Sequence, residues 1–503
     1  MLAQLKRLGS ETVVYGTSTI IGRFLNFLLV PLYTNVLHPD QYGIITYVYS
    51  IMAFINVIYS YGMESAYFKY SSTLEIGTGR ENFTTPFTSL FASSLFFSWA
   101  IAALASPVAG AMSLPPEYGR VVYYMAAILA FDALAIIPFA SLRMEHKARQ
   151  FATLKFVNII VNVVMNIVLL VTLHAGIEGI FISGLAASVV TFLLLLPTIF
   201  RHLGGRFNPA LFRSLLRFGL PSIPAGLSAT AVQVIDRPIL RALTNDSTVG
   251  IYQANYRLGI FMMLIVSVYD YAWRPFYFSM AKDPNAKGVF ARALTYLVLL
   301  MAGVFLGLTF FMGDIVKVSF FGRHIINPAY WSGLNIVPIV LLGYLFLGVY
   351  TNLSAGIYIE KKTHYLPLIT FLSALVNVVA NYLLIPPMGM MGAAWATFLA
   401  YFMMAVSGYI IAQRVYRIEY EIGRVIKIAA GAAIVMLIYF VTPVQSQTVG
   451  FIFKIGLVAV FIVLMYAMKF FDRREIDALN RLFQKAGAEV PPSSPVEPPI
   501  NEP

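Results

Sequence analysis

The sequence predicts an all-α protein that crosses a membrane fourteen times. The observations behind this prediction are that 59% of the 503 residues are hydrophobic, that only 12% are charged, and that long apolar runs recur along the chain. Soluble domains are nearer half apolar and a quarter charged, and one membrane-spanning helix needs roughly 20 apolar residues. The chain has no cysteine, which excludes disulfides, thiolate metal sites and cysteine nucleophiles.

Turn residues or clusters of charge separate the apolar segments from one another. The predicted spans lie at about 12–37, 43–68, 85–111, 120–142, 152–173, 177–200, 218–241, 250–273, 292–313, 331–353, 366–385, 391–412, 425–442 and 449–468. The longest loop between them is too short to fold into a soluble catalytic domain.

Positive charge is distributed unevenly between alternate loops. The chain has 35 lysine and arginine residues against 23 aspartate and glutamate residues, a net charge of +12. With the N-terminus inside, most of the positive residues fall in inner loops or at the two termini. The outer loops hold only Arg120, Arg241, Lys317 and Arg323. The positive-inside rule therefore predicts cytoplasmic termini and an even number of spans, and it explains the net charge without nucleic acid.

An internal repeat relates the first six spans to the next six. The matching residues keep the same order and nearly the same spacing in both halves. They are Pro31 and Gly43 with Pro238 and Gly250, and Glu145, Asn162 and Asn166 with Glu360, Asn377 and Asn381. Six spans are an even number, so both halves enter the membrane in the same orientation. Such parallel repeats are typical of transporters and leave a cleft between the halves, which favours alternating access.

The repeat predicts five regions. They are an N-terminal six-helix lobe over 1–205, an interfacial linker helix over 206–217, a C-terminal six-helix lobe over 218–413, two additional transmembrane helices over 414–470, and a cytoplasmic tail over 471–503 that is disordered toward its proline-rich end. The linker carries leucines at helical spacing beside Arg213 and Arg217, a pattern of interfacial helices. An extension of the following span fits the linker equally well.

Three arginines within the spans are candidate substrate-binding residues, because a charge inside hydrocarbon is costly and often functional. Arg23 lies deep in the first span, Arg257 lies in the eighth, and Arg237 lies near the outer end of the seventh. The repeat predicts that spans one, two, seven and eight surround one cavity, where planar guanidinium groups could bind an anion. The alternative is pairing within the membrane, for example of Arg237 or Arg257 with Asp236 or Asp132.

Two aspartates and two prolines complete the candidate site. Asp132 and Asp236 are candidates for carrying a coupling proton or ion, and structural ion pairing is the alternative for both. Pro31 and Pro238 are candidate hinges, since proline lacks a backbone donor and bends a helix. The sequence has neither a metal-binding cluster nor a glycine-rich phosphate loop, so we predict no metal and no cofactor.

Asparagine and tyrosine residues also recur in the spans. Asn158, Asn162 and Asn166 share one face of the fifth span, which predicts hydrogen bonds between helices, with sugar contact as the alternative. Many of the 30 tyrosines lie at span ends, where the aromatic belts of membrane proteins account for them.

The second half carries a degenerate but ordered set of motifs. Phe218-Gly-Leu-Pro-Ser-Ile-Pro, Asp236-Arg237, Val249-Gly-Ile-Tyr and Tyr256-Arg-Leu-Gly259 follow one another, and this series resembles the polysaccharide-export family of Wzx-type O-antigen flippases. The resemblance implies a MATE-like fold, with two pseudo-symmetric six-helix bundles and two added helices.

The same resemblance implies a function and a location. The expected substrate is an oligosaccharide on undecaprenyl pyrophosphate, moved to the outer leaflet of the bacterial cytoplasmic (inner) membrane for O-antigen or other surface polysaccharide. The expected partners are this glycan, membrane lipids and polysaccharide assembly proteins. The alternatives are a MATE-type cation-coupled drug antiporter and a membrane glycosyltransferase or polymerase acting on the same carrier. A positively charged cavity disfavours the antiporter, and the short outer loops disfavour an enzyme.

Overall fold

A computed structural model of the chain describes residues 22, 24, 25, 27–320, 322–442, 446–472 and 475, and most of these residues are helical. Most of the predicted first span, including Arg23, lies outside the described residues. So does most of the predicted tail over 471–503.

The first half of the chain, up to His202, is built from helices that match the predicted spans within a few residues. They are α1 (Leu29–Val36), α2 (Pro39–Ser60), α3 (Met63–Thr73), α4 (Gly79–Ala103), α5 (Ala105–Ala111), α6 (Val121–Met144), α7 (Ala148–Ile167) and α8 (Gly176–His202). A 3-10 turn (Pro116–Tyr118) precedes α6, and a π-helical turn (Val168–Thr172) follows α7.

The second half is also built from helices. Its helices are α9 (Pro209–Gly219), α10 (Ile223–Val234), α11 (Asp236–Leu243), α12 (Asp246–Tyr256), α13 (Ile260–Met280), α14 (Ala286–Lys317), α15 (Val337–Ile359), α16 (Tyr365–Met388) and α17 (Met390–Val415). Leu220–Ser222, Arg257–Gly259 and Pro328–Ile336 are 3-10 helices. A short antiparallel hairpin of β1 (Ser319–Phe320) and β2 (Arg323–His324) was not predicted.

The described residues from Glu421 onward form a second compact unit. It contains α18 (Ile422–Val441) and α19 (Gln447–Ala467), the two additional helices predicted over 414–470. Within this unit, Arg424 pairs with Glu475 at 2.7 Å and lies 4.5 Å from the centre of the Phe470 ring.

The protein is a multi-pass helical membrane protein. Within the described residues, twelve helices are long and apolar enough to cross a membrane, or up to thirteen if one bent pair is a single span. Only the end of the predicted first span is described, so the total of fourteen stays a prediction.

The bent pair contains the predicted hinge at Pro238. The helix formed by α9 and α10 meets α11 at an angle of 56°. Because Pro238 has no N–H, the carbonyl of Val234, four residues earlier, loses its helical partner. Pro238 is the third residue of α11, directly after the bend, and Pro31 is likewise the third residue of α1, which follows a turn at Leu28. The hinge role of both prolines stays a prediction.

The predicted linker helix is continuous with the next span. α9 begins after Asn208, whose side chain accepts hydrogen bonds from the backbone N–H groups of Ala210 and Leu211. Leu211 and Leu215 are buried whereas Arg213 is exposed, so the helix is amphipathic. It passes through a 3-10 turn into α10, which is the extension that the sequence also allowed.

The asparagine pairs of the internal repeat make the same contacts in both halves. The side-chain amide of Asn166 donates to the backbone oxygen of Asn162 at 2.8 Å and to its side-chain oxygen at 3.1 Å. Asn381 donates to the same two atoms of Asn377, at 2.8 and 2.5 Å. The sequence repeat thus corresponds to a repeated local structure on α7 and α16.

The two halves touch backbone to backbone on the predicted outer side. A Cβ atom on Gly43 of α2 would collide with the carbonyl of Asp246, and one on Gly250 of α12 would collide with the carbonyl of Pro39. These are the two glycines that the repeat relates. No larger residue permits the contact, which explains glycine at both positions.

Polar contacts reinforce this closure. Arg241 of the second half pairs with Asp246 at 2.5 Å and donates to the backbone oxygens of Met112 at 2.5 Å and Ser113 at 2.9 Å in the first half. Its guanidinium also lies 4.1 Å from the centre of the Tyr47 ring. The halves are therefore joined on the predicted outer side by one multiply bonded arginine as well as by the glycines.

Replacing Gly250 with valine should open the predicted outer side, because the new side chain forces α2 and α12 apart. The chain has no cysteine, so one introduced by Gln233→Cys on α10 reports access to the interior. A membrane-impermeant maleimide added from the outside should label Gln233→Cys faster when Gly250→Val is also present.

Gly307→Val on α14 is the control, since a Cβ there meets no atom within 4 Å. The Gln233→Cys protein that also carries Gly307→Val should be labelled at the same rate as the Gln233→Cys protein alone. Equal labelling rates for Gly250→Val and Gly307→Val would contradict the assignment of the Gly43–Gly250 contact as a closure.

Candidate functional site

A central cavity of about 780 Å³ lies between the two halves. Helices α1, α2, α7 and α8 line it from the first half, and α10 to α13 with α15 to α17 line most of the remainder. Cavities of this size hold small-molecule or headgroup ligands. The cavity lies in the cleft that the internal repeat predicted.

The described charges in the lining of this cavity are all positive. Among the described residues that line it, the charged ones are Arg237 and Arg257, and none is acidic. Both arginines were predicted from the sequence to face one cavity, and the structure brings them together. Arg23, the third predicted arginine, lies outside the described residues.

Arg257 is the arginine whose charge is open to the cavity. It begins the 3-10 turn Arg257–Gly259 that separates α12 from α13. Gly259 fixes this turn, because a Cβ there would press against Val340 and the Tyr344 ring. The Arg257 side chain is exposed, and among the described residues no carboxylate oxygen lies within 4.0 Å of it. An exposed guanidinium without a described carboxylate partner attracts an anion.

Arg237 has a different environment. Its residue is only 5% exposed, and its guanidinium pairs with Asp236 at 2.6 Å and donates to Gln253 at 3.2 Å. It also donates to the backbone oxygen of Gln233 and lies 4.3 Å from the centre of the Tyr256 ring. The structure thus places Arg237 in the ion pair that was its alternative assignment, at the edge of the cavity.

Asp236, an ion-coupling candidate, is saturated by these contacts. It is 1% exposed, and besides Arg237 it accepts hydrogen bonds from the Tyr252 hydroxyl at 2.5 Å and the Thr397 hydroxyl at 3.3 Å. Arg237 therefore holds the position beside this carboxylate that a transported cation would need.

Asp132, the other candidate, lies on α6 and does not line the central cavity. Its carboxylate accepts a hydrogen bond from Ser188 of α8 at 2.7 Å. The residue is exposed, and no described lysine or arginine lies within 4.0 Å of its carboxylate. Asp132 is therefore without a direct ion pair among the described residues, and Lys155 of α7 interacts with it at longer range.

Tyrosines are the cavity residues that the sequence analysis missed. Seven of them line the cavity: Tyr33, Tyr42, Tyr49, Tyr256, Tyr344, Tyr350 and Tyr401. The aromatic-belt explanation does not hold for these seven. The available signal was position: the first four lie on or beside the first, second and eighth spans, which the repeat had placed around the cleft, and the other three lie on the tenth and twelfth spans.

These features define a class of protein: a multi-pass helical membrane protein whose two halves enclose a cationic, tyrosine-rich cavity. The model of one family, described as polysaccharide biosynthesis protein, matches residues 34–324. Since this is more than half of the chain, the protein belongs to the polysaccharide biosynthesis protein family. A comparison with curated proteins returns no match.

Solved structures share the fold. The lipid II flippase MurJ in an inward closed conformation is 16% identical, with a TM-score of 0.73 over 90% of this chain and 99% of MurJ. An inward-facing multidrug resistance transporter of the MATE family is 14% identical, with a TM-score of 0.63 over 80% of this chain and 97% of its own. The Vibrio cholerae MATE transporter VcmN in its bent form is 14% identical, with a TM-score of 0.52 over 82% and 97%. The helical, MATE-like fold expected from the sequence is therefore confirmed, whereas the two pseudo-symmetric six-helix bundles stay a prediction.

Removing Arg237 should destabilise the protein strongly, because Asp236 would stay buried without its partner. We expect Arg237→Ala to lower the free energy of unfolding by about 3–5 kcal/mol. Thermal unfolding of the purified protein in detergent measures this loss.

The double variant Asp236→Asn with Arg237→Ala should recover part of the loss, because it removes the unpaired charge. Arg257→Ala should leave the unfolding midpoint near that of the parent. A midpoint for Arg237→Ala equal to that of Arg257→Ala would contradict the buried ion pair.

Proposed function

We propose that this protein moves an oligosaccharide linked to undecaprenyl pyrophosphate from the inner to the outer leaflet of the bacterial cytoplasmic membrane. The observation that carries the proposal is the unpaired Arg257 in a cavity whose described lining has no acidic residue. Membership of the polysaccharide biosynthesis protein family supports the glycan. The fold shared with a lipid II flippase supports a lipid-linked substrate.

The proposed mechanism is alternating access between two six-helix lobes, over 1–205 and 218–413. The pyrophosphate would enter from the predicted cytoplasmic side and pair with Arg257, since a guanidinium donates to two phosphate oxygens at once. The contacts of Gly43 with Gly250 and of Arg241 with the first half would then break, and the cavity would open outward. Fourteen spans with both termini in the cytoplasm complete this arrangement.

Ion coupling, if the cycle uses it, is assigned to Asp132 rather than Asp236. A coupling site needs a carboxylate that can exchange its cation or proton. Asp132 is exposed and holds one hydrogen bond from Ser188, whereas Asp236 is buried against Arg237. The drug antiporter is the second candidate, supported by the fold of the MATE transporters, but a cavity with only positive described charges repels cationic drugs.

Arg257→Ala should reduce transport of a fluorescent prenyl-diphosphate oligosaccharide in proteoliposomes by about tenfold to a hundredfold. This range corresponds to the loss of hydrogen bonds to a charged group. Arg257→Lys should recover only part of the activity, because an ammonium group cannot form the bidentate contact.

Arg292→Ala is the matched control, since Arg292 is an exposed arginine on α14 that does not line the cavity. It should transport at the parental rate. Parental transport by Arg257→Ala would reject the proposed function, and export of a cationic dye without glycan transport would favour the antiporter.

A further inference from the structure

The two walls of the central cavity differ in chemistry. The described lining residues of the second half include both arginines, whereas those of the first half are uncharged. The first-half wall instead presents amides, hydroxyls and tyrosine rings from α1, α2 and α7. A ligand with one anionic end and one neutral, hydroxylated end matches this division.

Two asparagines on α7 give the neutral wall a defined polarity. Both hydrogens of the Asn158 amide are used, since its nitrogen donates to the backbone oxygen of Ala187 at 3.1 Å and to the Thr191 hydroxyl at 2.8 Å. The Thr191 hydroxyl in turn donates to the Ala187 oxygen at 2.7 Å, which leaves it only the acceptor role toward Asn158. Asn158 therefore offers the cavity its carbonyl oxygen.

Asn162 has the opposite polarity. The Tyr33 hydroxyl donates to the side-chain oxygen of Asn166 at 3.0 Å, and the Asn166 nitrogen donates to the side-chain oxygen of Asn162 at 3.1 Å. The nitrogen of Asn162 makes no hydrogen bond with a described residue, so Asn162 offers the cavity a donor. Residues four apart on a helix are neighbours, so an acceptor and a donor stand one turn apart.

Tyr49 supplies an apolar surface beside this pair. Its ring stacks on Phe181 with centres 5.1 Å apart and an angle of 12° between the planes. Tyr49 also lines the cavity and is 36% exposed. The exposed part of this ring can contact the C–H face of a sugar. Its hydroxyl lies against Gly184 of α8 and makes no hydrogen bond with a described residue.

We infer that Asn158, Asn162 and Tyr49 form a subsite for an uncharged sugar, and that this sugar is the one next to the diphosphate held by Arg257. The inference rests on the proposed function and adds to it the chemical class of the sugar that binds at this wall. A sugar with adjacent acceptor and donor groups, such as an acetamido group, satisfies both asparagines. A uronic acid would place its carboxylate near the Asn158 oxygen, where two acceptors without a shared hydrogen meet, which is unfavourable.

Binding of three short-chain probes to the full-length protein in lipid nanodiscs tests the subsite. The probes are farnesyl diphosphate, farnesyl-diphosphoryl-N-acetylglucosamine and farnesyl-diphosphoryl-glucuronic acid, with Kd measured by thermophoresis. The parent should bind the N-acetylglucosamine probe at least about tenfold more tightly than either of the others. Asn158→Ala and Asn162→Ala should each weaken binding of that probe about five- to tenfold, as expected for one hydrogen bond.

The same variants should bind farnesyl diphosphate within about twofold of the parent, which also shows that the cavity is intact. Asn285→Ala is the matched control, because Asn285 is exposed and its side chain makes no hydrogen bond with a described residue. Parental affinity of both asparagine variants for the N-acetylglucosamine probe would overturn the subsite, as would equal binding of the glucuronic acid probe.

Arg257→Ala separates this inference from the proposed function. It should weaken binding of all three probes, because each contains the diphosphate. If Arg257→Ala weakens binding and the asparagine variants do not, the sugar subsite fails while the proposed function stands. If Arg257→Ala leaves all affinities unchanged, the proposed function fails and the subsite fails with it.

Discussion

The free energy of placing a charge in hydrocarbon constrains this structure more than any other interaction. Asp236 and Arg237 are almost completely buried, and each is held by the other and by further hydrogen bonds from neighbouring helices. Either group alone would cost several kcal/mol. Because this pair is neutral overall, the electrostatic character of the described cavity depends on Arg257. Arg237 thus has a structural role, whereas Arg257 is available to a ligand.

The same pair lies at the bend between α10 and α11. Asp236 and Arg237 are the first two residues of α11, and Arg237 also donates to the backbone oxygen of Gln233 on α10, across the break. Tyr252 on α12 and Thr397 on α17 then bond the carboxylate. One buried contact therefore ties together several helices of the second half and holds the wall on which Arg257 lies.

Much of the fold could be predicted because membrane insertion is read from local sequence. Hydropathy located the described helices, the unequal loop charges predicted the orientation, and the repeated Asn162–Asn166 and Asn377–Asn381 pairs reappear with the same hydrogen bonds. The site was predicted less completely. The sequence placed Arg257 in the cavity, but it did not decide whether Arg237 binds substrate or pairs with an aspartate. Tyrosines such as Tyr49 were assigned to the membrane interface. Which face of a helix lines a cavity depends on helices distant in sequence.

By itself, the sequence determined that this is a multi-pass membrane protein of a polysaccharide biosynthesis family, since apolar runs and motif order are properties of contiguous residues. Only the tertiary structure decided which arginine is neutralised and which faces the cavity, and that uncharged amides form the opposite wall. The physical reason is that pairing and desolvation are set by distances between groups on different helices. Those distances exist only after the helices have packed.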